Sequence, residues 1–213
     1  MRYKAILFDM DGTLLDTLTD MADAVNHILS VHGWPLRTIE EVRAFVGNGA
    51  RRLMERAVPP EVTGGDFETV LTEYRDWYQA HNCVATAPYP GIPALLAALA
   101  EAGVKTAVVS NKPDATTKTL AARFFPGLPA FGQRDDVPPK PAPDLVFRAL
   151  ETLGVDAADA IYVGDSEVDV ATARNAGLPL AAVSWGFRGR RALAEAGAPV
   201  IVDTAAELLE VLR

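Results

Sequence analysis

The sequence predicts an α/β protein built on a doubly wound parallel sheet, with an all-helical segment inserted near its start. Three observations predict it. Short runs rich in apolar and β-branched residues, such as Ala5-Ile6-Leu7-Phe8, Lys105-Thr106-Ala107-Val108-Val109 and Ala160-Ile161-Tyr162-Val163, have the length and continuity of strands buried on both faces. Beyond Pro88-Tyr89-Pro90-Gly91, helix-period stretches alternate with such runs, the pattern that packs crossover helices onto a parallel sheet. Between about Asp20 and His81, helical stretches follow one another with no strand-period pattern.

The elements are expected in the following order. Ala5 to Phe8 forms the first strand. The inserted helices run from Met21 to His32, Thr38 to Phe45, Gly49 to Ala57 and Phe67 to Ala80. Gly33-Trp34-Pro35 and the stretch from Pro59-Pro60 to Thr63-Gly64-Gly65 break them apart. Thr38-Ile39-Glu40-Glu41 has the spacing of a capping box. Next come a helix from Ile92 to Ala102, the strand Lys105 to Val109, and helices from Ala115 to Phe124 and Asp144 to Leu153. The strands Ala160 to Val163, Leu180 to Val183 and Val200 to Val202 follow, and a helix from Ala205 to Leu212 closes the chain. Residues 1–16 and 84–213 are therefore expected to form the α/β core and residues 17–83 a helical unit, with hinges at Asp16 to Asp20 and Val84 to Pro90. There is no internal repeat or low-complexity tract.

Composition bounds the function. A chain of 213 residues, 49% of them hydrophobic, can bury a full core and carry a substantial insertion. A net charge of −8 argues against nucleic acid as a partner, since backbone binding relies on clustered Lys and Arg. No apolar run is long enough to span a membrane, and the first strand begins so early that no signal peptide is expected. Cys83 is the single cysteine, which excludes an internal disulfide and points to a reducing, cytoplasmic setting. A monomer or a homodimer is expected. His27, His32 and His81 lack metal-ligand spacing, and Trp34, Trp77 and Trp185 read as packing residues.

The chemistry is concentrated where strands end. Asp9-Met10-Asp11-Gly12-Thr13 sets two carboxylates two residues apart at the carboxyl end of the first strand, where ligands bind in open α/β sheets. One carboxylate can attack phosphorus and form an acyl-phosphate; the other can protonate the leaving oxygen and then activate water. An Asp-rich turn capping a strand has the same local pattern. Ser110-Asn111 ends a second strand with a hydroxyl, an amide and backbone N–H groups suited to phosphate oxygens. Lys140 sits among prolines before a helix, so its ammonium comes from a stiffened segment. Gly164-Asp165-Ser166-Glu167-Val168-Asp169 ends a third strand in acids, as a hard cation such as Mg2+ requires. Each piece alone has a structural reading as a cap, a turn or a surface charge. Together, each at a strand end, they form the inventory of a phosphoryl-transfer site.

These four segments resemble the motifs of the haloacid dehalogenase-like (HAD) phosphohydrolases, and the resemblance covers essentially the whole chain. It implies a Rossmann-like core and a helical cap inserted after the first motif. It further implies Asp9 as nucleophile, Asp11 as general acid/base, Ser110 and the Asn111 backbone as phosphoryl ligands, and Lys140 as the charge that neutralises the phosphoryl group and orients Asp9. Mg2+ is implied as cofactor, held by Asp9, the Met10 carbonyl and Asp165, with Asp169 positioning Lys140 or a metal-bound water. Thr13 joins the phosphate-binding turn. The cap segment Val46-Gly47-Asn48-Gly49-Ala50-Arg51-Arg52 is similar to the family's specificity loop, which makes Asn48, Gly49 and Arg51 candidate substrate contacts; a helix-connecting turn with solvent-facing arginines reads equally well. Phe45-Val46-Gly47-Asn48-Gly49, Pro88-Tyr89-Pro90-Gly91, Ser110-Asn111-Lys112-Pro113 and Asp135-Asp136-Val137-Pro138-Pro139-Lys140-Pro141 are similar to segments of phosphoglycolate phosphatases. The expected activity is Mg2+-dependent hydrolysis of a small phosphorylated metabolite through an aspartyl-phosphate, with 2-phosphoglycolate the leading substrate. The alternatives are a β-phosphoglucomutase-like phosphomutase, a pyrophosphatase or a sugar-phosphate phosphatase. Asp11 argues against a dehalogenase, which has no alkoxide leaving group to protonate.

Overall fold

A computed structural model describes residues 1–213, and the chain divides into two compact units. One comprises Met1–Asp16 and Pro88–Arg213, the other Thr17–Ala87.

The first unit is a sheet of six parallel strands in the order β5-β4-β1-β6-β7-β8. These are β1 (Ala5–Phe8), β4 (Lys105–Pro113), β5 (Ala130–Gln133), β6 (Ala160–Gly164), β7 (Leu180–Val183) and β8 (Ile201–Val202). The two-residue strands β2 (Leu15–Asp16) and β3 (Ala87–Pro88) lie outside this sheet. β1 is central, with Ala5 opposite Lys105 on one side and Ala160 on the other, and Phe8 opposite Val108 and Val163. Its residues are all buried because both faces are covered. Leu7, Val109, Tyr162 and Ala182 face a core built with α7 (Asp144–Leu153), α8 (Glu167–Ala176) and α9 (Gly189–Glu195). The alternate residues Ile6, Phe8, Val108 and Val163 point to the opposite face and are equally buried. There α5 (Ile92–Glu101) packs on β4 and α10 (Ala205–Leu212) on β7 and β8. Each such large side chain contributes about 1.5–3 kcal/mol on burial. The chain leaves β1 for β4 and β5 on one side and later returns to β6 on the other, so the topological switch lies at the carboxyl end of β1.

Among the strands of the six-stranded sheet and the α-helices of this unit, β5, α8 and α9 are absent from the expected elements. β5 carries Gly132 in a run next to Pro129 and is only half-buried at the sheet edge. A Cβ at Gly132 would lie 2.5 Å from the Asp114 Cα at the start of α6 (Asp114–Phe124), so close packing accounts for that glycine. β4 also runs on past Val109 to Pro113, with a register shift against β5 over that stretch, and its polar residues Ser110, Asn111 and Lys112 are buried.

The second unit consists of α1 (Leu18–Val31), α2 (Ile39–Phe45), α3 (Gly49–Ala57) and α4 (Gly64–His81). Met21, Val25 and Leu29 of α1 are buried with Phe67, Val70, Leu71, Tyr74 and Tyr78 of α4, which packs against it. The Thr38–Glu41 capping box forms, each residue bonding the other's backbone N–H. Asp20, in the first turn of α1, is buried and its carboxylate accepts the N–H groups of Val84, Ala85 and Thr86 and the Thr86 hydroxyl, at 2.7–3.0 Å. That grip ties the chain after Cys83 to the helical unit, and the break falls between Ala87 and Pro88 rather than after Cys83.

Candidate active site

Three neighbouring strands of the first unit, β4, β1 and β6, deliver the polar cluster. Asp9 follows β1 directly, and its N–H still donates to Val163 at 2.8 Å, so β6 fixes its backbone. Ser110 and Asn111 lie in β4 after the apolar run, and Asp165 follows β6. Lys140 comes from the proline-rich loop before α7. Asn111 clamps that loop by reciprocal bonds: the Lys140 N–H donates to Asn111 Oδ1 at 2.7 Å and Asn111 Nδ2 donates to the Lys140 carbonyl at 3.0 Å. The Asn111 side chain thus positions the lysine. The peptide bond from Lys140 to Pro141 is cis.

The Lys140 ammonium is almost wholly buried, 2.9 Å from Asp9 Oδ1, and donates to Asp169 Oδ1 at 2.8 Å and to the Tyr162 hydroxyl at 3.0 Å. Burial alone would drag the lysine's pKa down, but the Asp169 and Asp9 carboxylates outweigh it and hold the pKa well above the ordinary value. Asp9 Oδ1 has this charged neighbour but no hydrogen bond, because the ammonium lies off the bonding direction. Burial pushes the Asp9 carboxyl up, Lys140 pulls it down, and Asp169 and Asp11 push it up again; the result is a pKa of about 7. Asp165 is raised well above the carboxylate range by burial first and then by Asp169 and Asp9, against the pull of the Phe187 N–H and Arg188.

Oxygens of Asp9, Asp165 and Asp169 lie within 4.8 Å of one another. Two of these three carboxyls are held in a protonation-prone state by burial and mutual repulsion, and Asp9 keeps an unbonded buried oxygen. Such a set fits a divalent cation, whose charge would relieve the repulsion. The protein closes tightly round Asp165. Thr13 Oγ1 donates to Oδ1 at 3.3 Å and the Phe187 N–H to Oδ2 at 2.7 Å. A Cβ at Gly12 or Gly186 would lie 2.3 Å from Asp165 Oδ2, so both positions require glycine, and Gly12 also has φ +84°.

Met10 and Asp169 both make internal hydrogen bonds at the site. The Met10 carbonyl accepts the N–H groups of Thr13, Leu14 and Leu15 at 3.0–3.3 Å and so closes the turn after Asp9. Asp169 sits in the cluster, yet both its oxygens are occupied. Oδ1 accepts from Lys140 and Tyr162, and Oδ2 from Ser166 Oγ and the N–H groups of Asp165 and Ser166. It orients Lys140 and caps α8.

The structure brings Tyr162 into the site, where it bridges Lys140, Asp169 and the Val109 carbonyl. Trp185, expected as a packing residue, donates from Nε1 to the Thr13 carbonyl at 3.1 Å. The signal for Tyr162 was a polar-tipped side chain inside an otherwise apolar strand. Lys112 lies 3.1 Å from Asp11 Oδ1. In the helical unit, Asn48 precedes α3, its side-chain oxygen accepting from Arg56 at 3.2 Å, and Gly49 opens that helix. The Arg51 guanidinium donates to both oxygens of Glu68, at 2.8 and 2.7 Å, and lies over the Phe67 ring.

A family model described as haloacid dehalogenase-like hydrolase matches residues 6–183. Among curated proteins, the N-acetylmuramic acid 6-phosphate phosphatase of Pseudomonas aeruginosa is 36% identical, covering 100% of this chain and 96% of that protein. The phosphoglycolate phosphatase of Pseudomonas savastanoi pv. phaseolicola is 34% identical over 97% of this chain and 78% of its own length. Among solved structures, a candidate phosphoglycolate phosphatase from Lactobacillus delbrueckii subsp. bulgaricus superposes with a TM-score of 0.94 at 38% identity, covering 100% of this chain and 99% of that one. With the strand-end acids, the buried lysine and these matches in hand, the chain belongs to the haloacid dehalogenase-like hydrolase family.

Proposed function

We propose that the protein is a Mg2+-dependent phosphatase of small phosphomonoesters, with 2-phosphoglycolate as substrate. The observation that carries the chemistry is Asp9: a buried carboxylate with one unbonded oxygen, charge-paired to a fixed lysine at the switch point of the sheet. In this reading an Asp9 oxygen attacks phosphorus, the bond from phosphorus to the ester oxygen breaks, and Asp11 gives its proton to the departing alkoxide. Water then attacks the aspartyl-phosphate and loses a proton to Asp11; phosphate departs and the Asp9 carboxylate is restored. Ser110 and the Asn111 backbone hold the phosphoryl oxygens, and Lys140 balances their charge. Asp9 and Asp165 would hold Mg2+, which supplies charge stabilisation for the phosphoryl oxygens when bound. Phosphate release from a panel of esters, with and without Mg2+, tests the reading; transfer to a sugar in place of water would mark a phosphomutase instead.

A sugar phosphate is the second reading, favoured by the muramic acid 6-phosphate phosphatase, which this chain matches over nearly the full length of both. Both named relatives act on esters that also carry a carboxylate. We assign Asn48, Gly49 and Arg51 of the helical unit to the recognition of that non-reacting end. The pair between Arg51 and Glu68 is bidentate but about half exposed on both sides, so solvent reaches it and a substrate anion can compete with Glu68 for the guanidinium. A shielded charge-assisted contact contributes roughly 1.5–3 kcal/mol. Arg51→Ala is therefore expected to lower kcat/KM about ten- to a hundredfold on the carboxylate-bearing substrate. A simple aryl phosphate should change by less than about threefold, and equal losses on both would assign Arg51 to packing of the helical unit.

The buried acids also set a pH dependence. In metal-free protein Asp9 keeps its proton up to about pH 7, whereas the unfolded chain loses it near pH 4. The folded state thus binds the extra proton across that window, and stability falls as pH rises through it. A bound cation offsets the repulsion between the ionised acids. Mg2+ should raise the melting temperature more at about pH 7.5 than at about pH 5.5. An equal rise at both would place the cation away from Asp9.

A further inference from the structure

The reaction as described leaves one buried cation without a task. Lys112 lies in β4 two residues after Ser110, and its side chain keeps 3% of its surface exposed. Its backbone is fixed on both sides: the N–H donates to Ser110 Oγ at 3.2 Å, and the carbonyl accepts the Thr117 hydroxyl of α6 at 3.1 Å. From that anchor the ammonium reaches Asp11 Oδ1, 3.1 Å away, across the sheet from β4 to the turn after β1. A lysine is seldom buried unless it is paired, and here an anion meets it. The site therefore contains two buried lysines, each facing one member of the carboxylate pair: Lys140 faces Asp9 and Lys112 faces Asp11.

We propose that Lys112 is the positioning residue for Asp11, holding Oδ1 so that Oδ2 is the oxygen that hands the proton to the leaving group and takes one from water. The inference rests on Asp11 being the acid/base. Asp11 sits in a short turn and its side chain is partly exposed, and a buried ammonium 3.1 Å from Oδ1 restricts rotation of the carboxylate away from the leaving oxygen. The role is one of orientation and belongs only to the proton-transfer steps. Attack by Asp9 does not require it.

Leaving-group dependence isolates such a role. An alkyl ester such as 2-phosphoglycolate needs its alkoxide protonated, whereas 4-nitrophenyl phosphate releases a stable phenolate. A positioned acid/base contributes about 10²–10⁴-fold, and Lys112→Met should forfeit part of this, lowering kcat on the alkyl ester about ten- to a hundredfold. The aryl ester should fall by less than about threefold. In an Asp11→Asn background, Lys112→Met should change neither substrate by more than about twofold, because its only route to the reaction has been removed. Lys112→Gln, whose amide can still donate to Oδ1, should keep the alkyl-to-aryl ratio nearer that of the parent; if the Met variant does not fold, Lys112→Ala takes its place in every comparison. Equal losses on both esters, or a further loss in the Asp11→Asn background, overturn the inference and place Lys112 on the phosphoryl group or in the fold. If Asp11→Asn alone leaves the ratio unchanged, the assignment of Asp11 as acid/base fails; if it shifts the ratio and Lys112→Met does not, only the role of Lys112 fails.

Discussion

Asp9→Asn protein folds, binds Mg2+ weakly if at all, and releases phosphate from no ester at more than a trace of the parental rate. The carboxylamide cannot form the acyl-phosphate, and loss of an essential nucleophile costs on the order of 10⁴-fold or more in kcat. Stability should hold or improve. Asp9 is a buried acid whose pKa is driven up to about 7, so a neutral isostere removes an unfavourable buried charge. Lys140 does not become an orphan, because Asp169 remains 2.8 Å away. A melting curve and a phosphate-release assay on the same preparation check both halves. Activity near the parental level would overturn covalent catalysis by Asp9, whereas unfolding would show that the ion pair with Lys140 dominates the local energetics.

Metal removal should have the next largest effect. Exhaustive chelation is expected to abolish turnover and Mg2+ to restore it. Ca2+ should inhibit, since its larger and looser coordination shell can take both Asp9 oxygens and leave none for attack. Asp165→Ala removes a ligand, where even the loss of an outer partner costs about ten- to a hundredfold in metal affinity. Its half-saturating Mg2+ should therefore rise by at least about a hundredfold. Titration of activity against Mg2+ in parent and variant decides the matter, and full activity in excess chelator would remove the cation from the mechanism.

Much of this architecture is legible in the sequence because physical chemistry leaves few choices there. An apolar run of four residues that ends in acids reads as an interior strand opening on a polar site, and β1 followed by Asp9 has that form. The helices α3, α7 and α10 begin and end where the sequence reading places them. β5 escapes notice because its strand character depends on α6 packing over a glycine, which is a tertiary contact. Lys112 escapes for a different reason. A lysine beside a strand end is almost always solvated, whereas here β4 continues to Pro113 and Lys112 lies buried within it beside Asp11. The Met10 carbonyl marks a third limit: the direction of a peptide group is set by the turn it closes, and no side-chain pattern records it.

The grip of Asp20 on Val84, Ala85 and Thr86 has an evolutionary corollary. It staples together the two ends of a continuous 17–87 segment, so the helices between them form a self-contained cassette whose termini meet. The surrounding sheet needs no special length or shape to accept such a cassette, because the cost of closing the loop is met inside it. Exchange of the whole segment between related chains is then a single genetic event that leaves every strand-end acid in register. Diversification by such exchange would separate the history of the helical segment from that of the sheet, and trees built from the two parts of the chain would disagree.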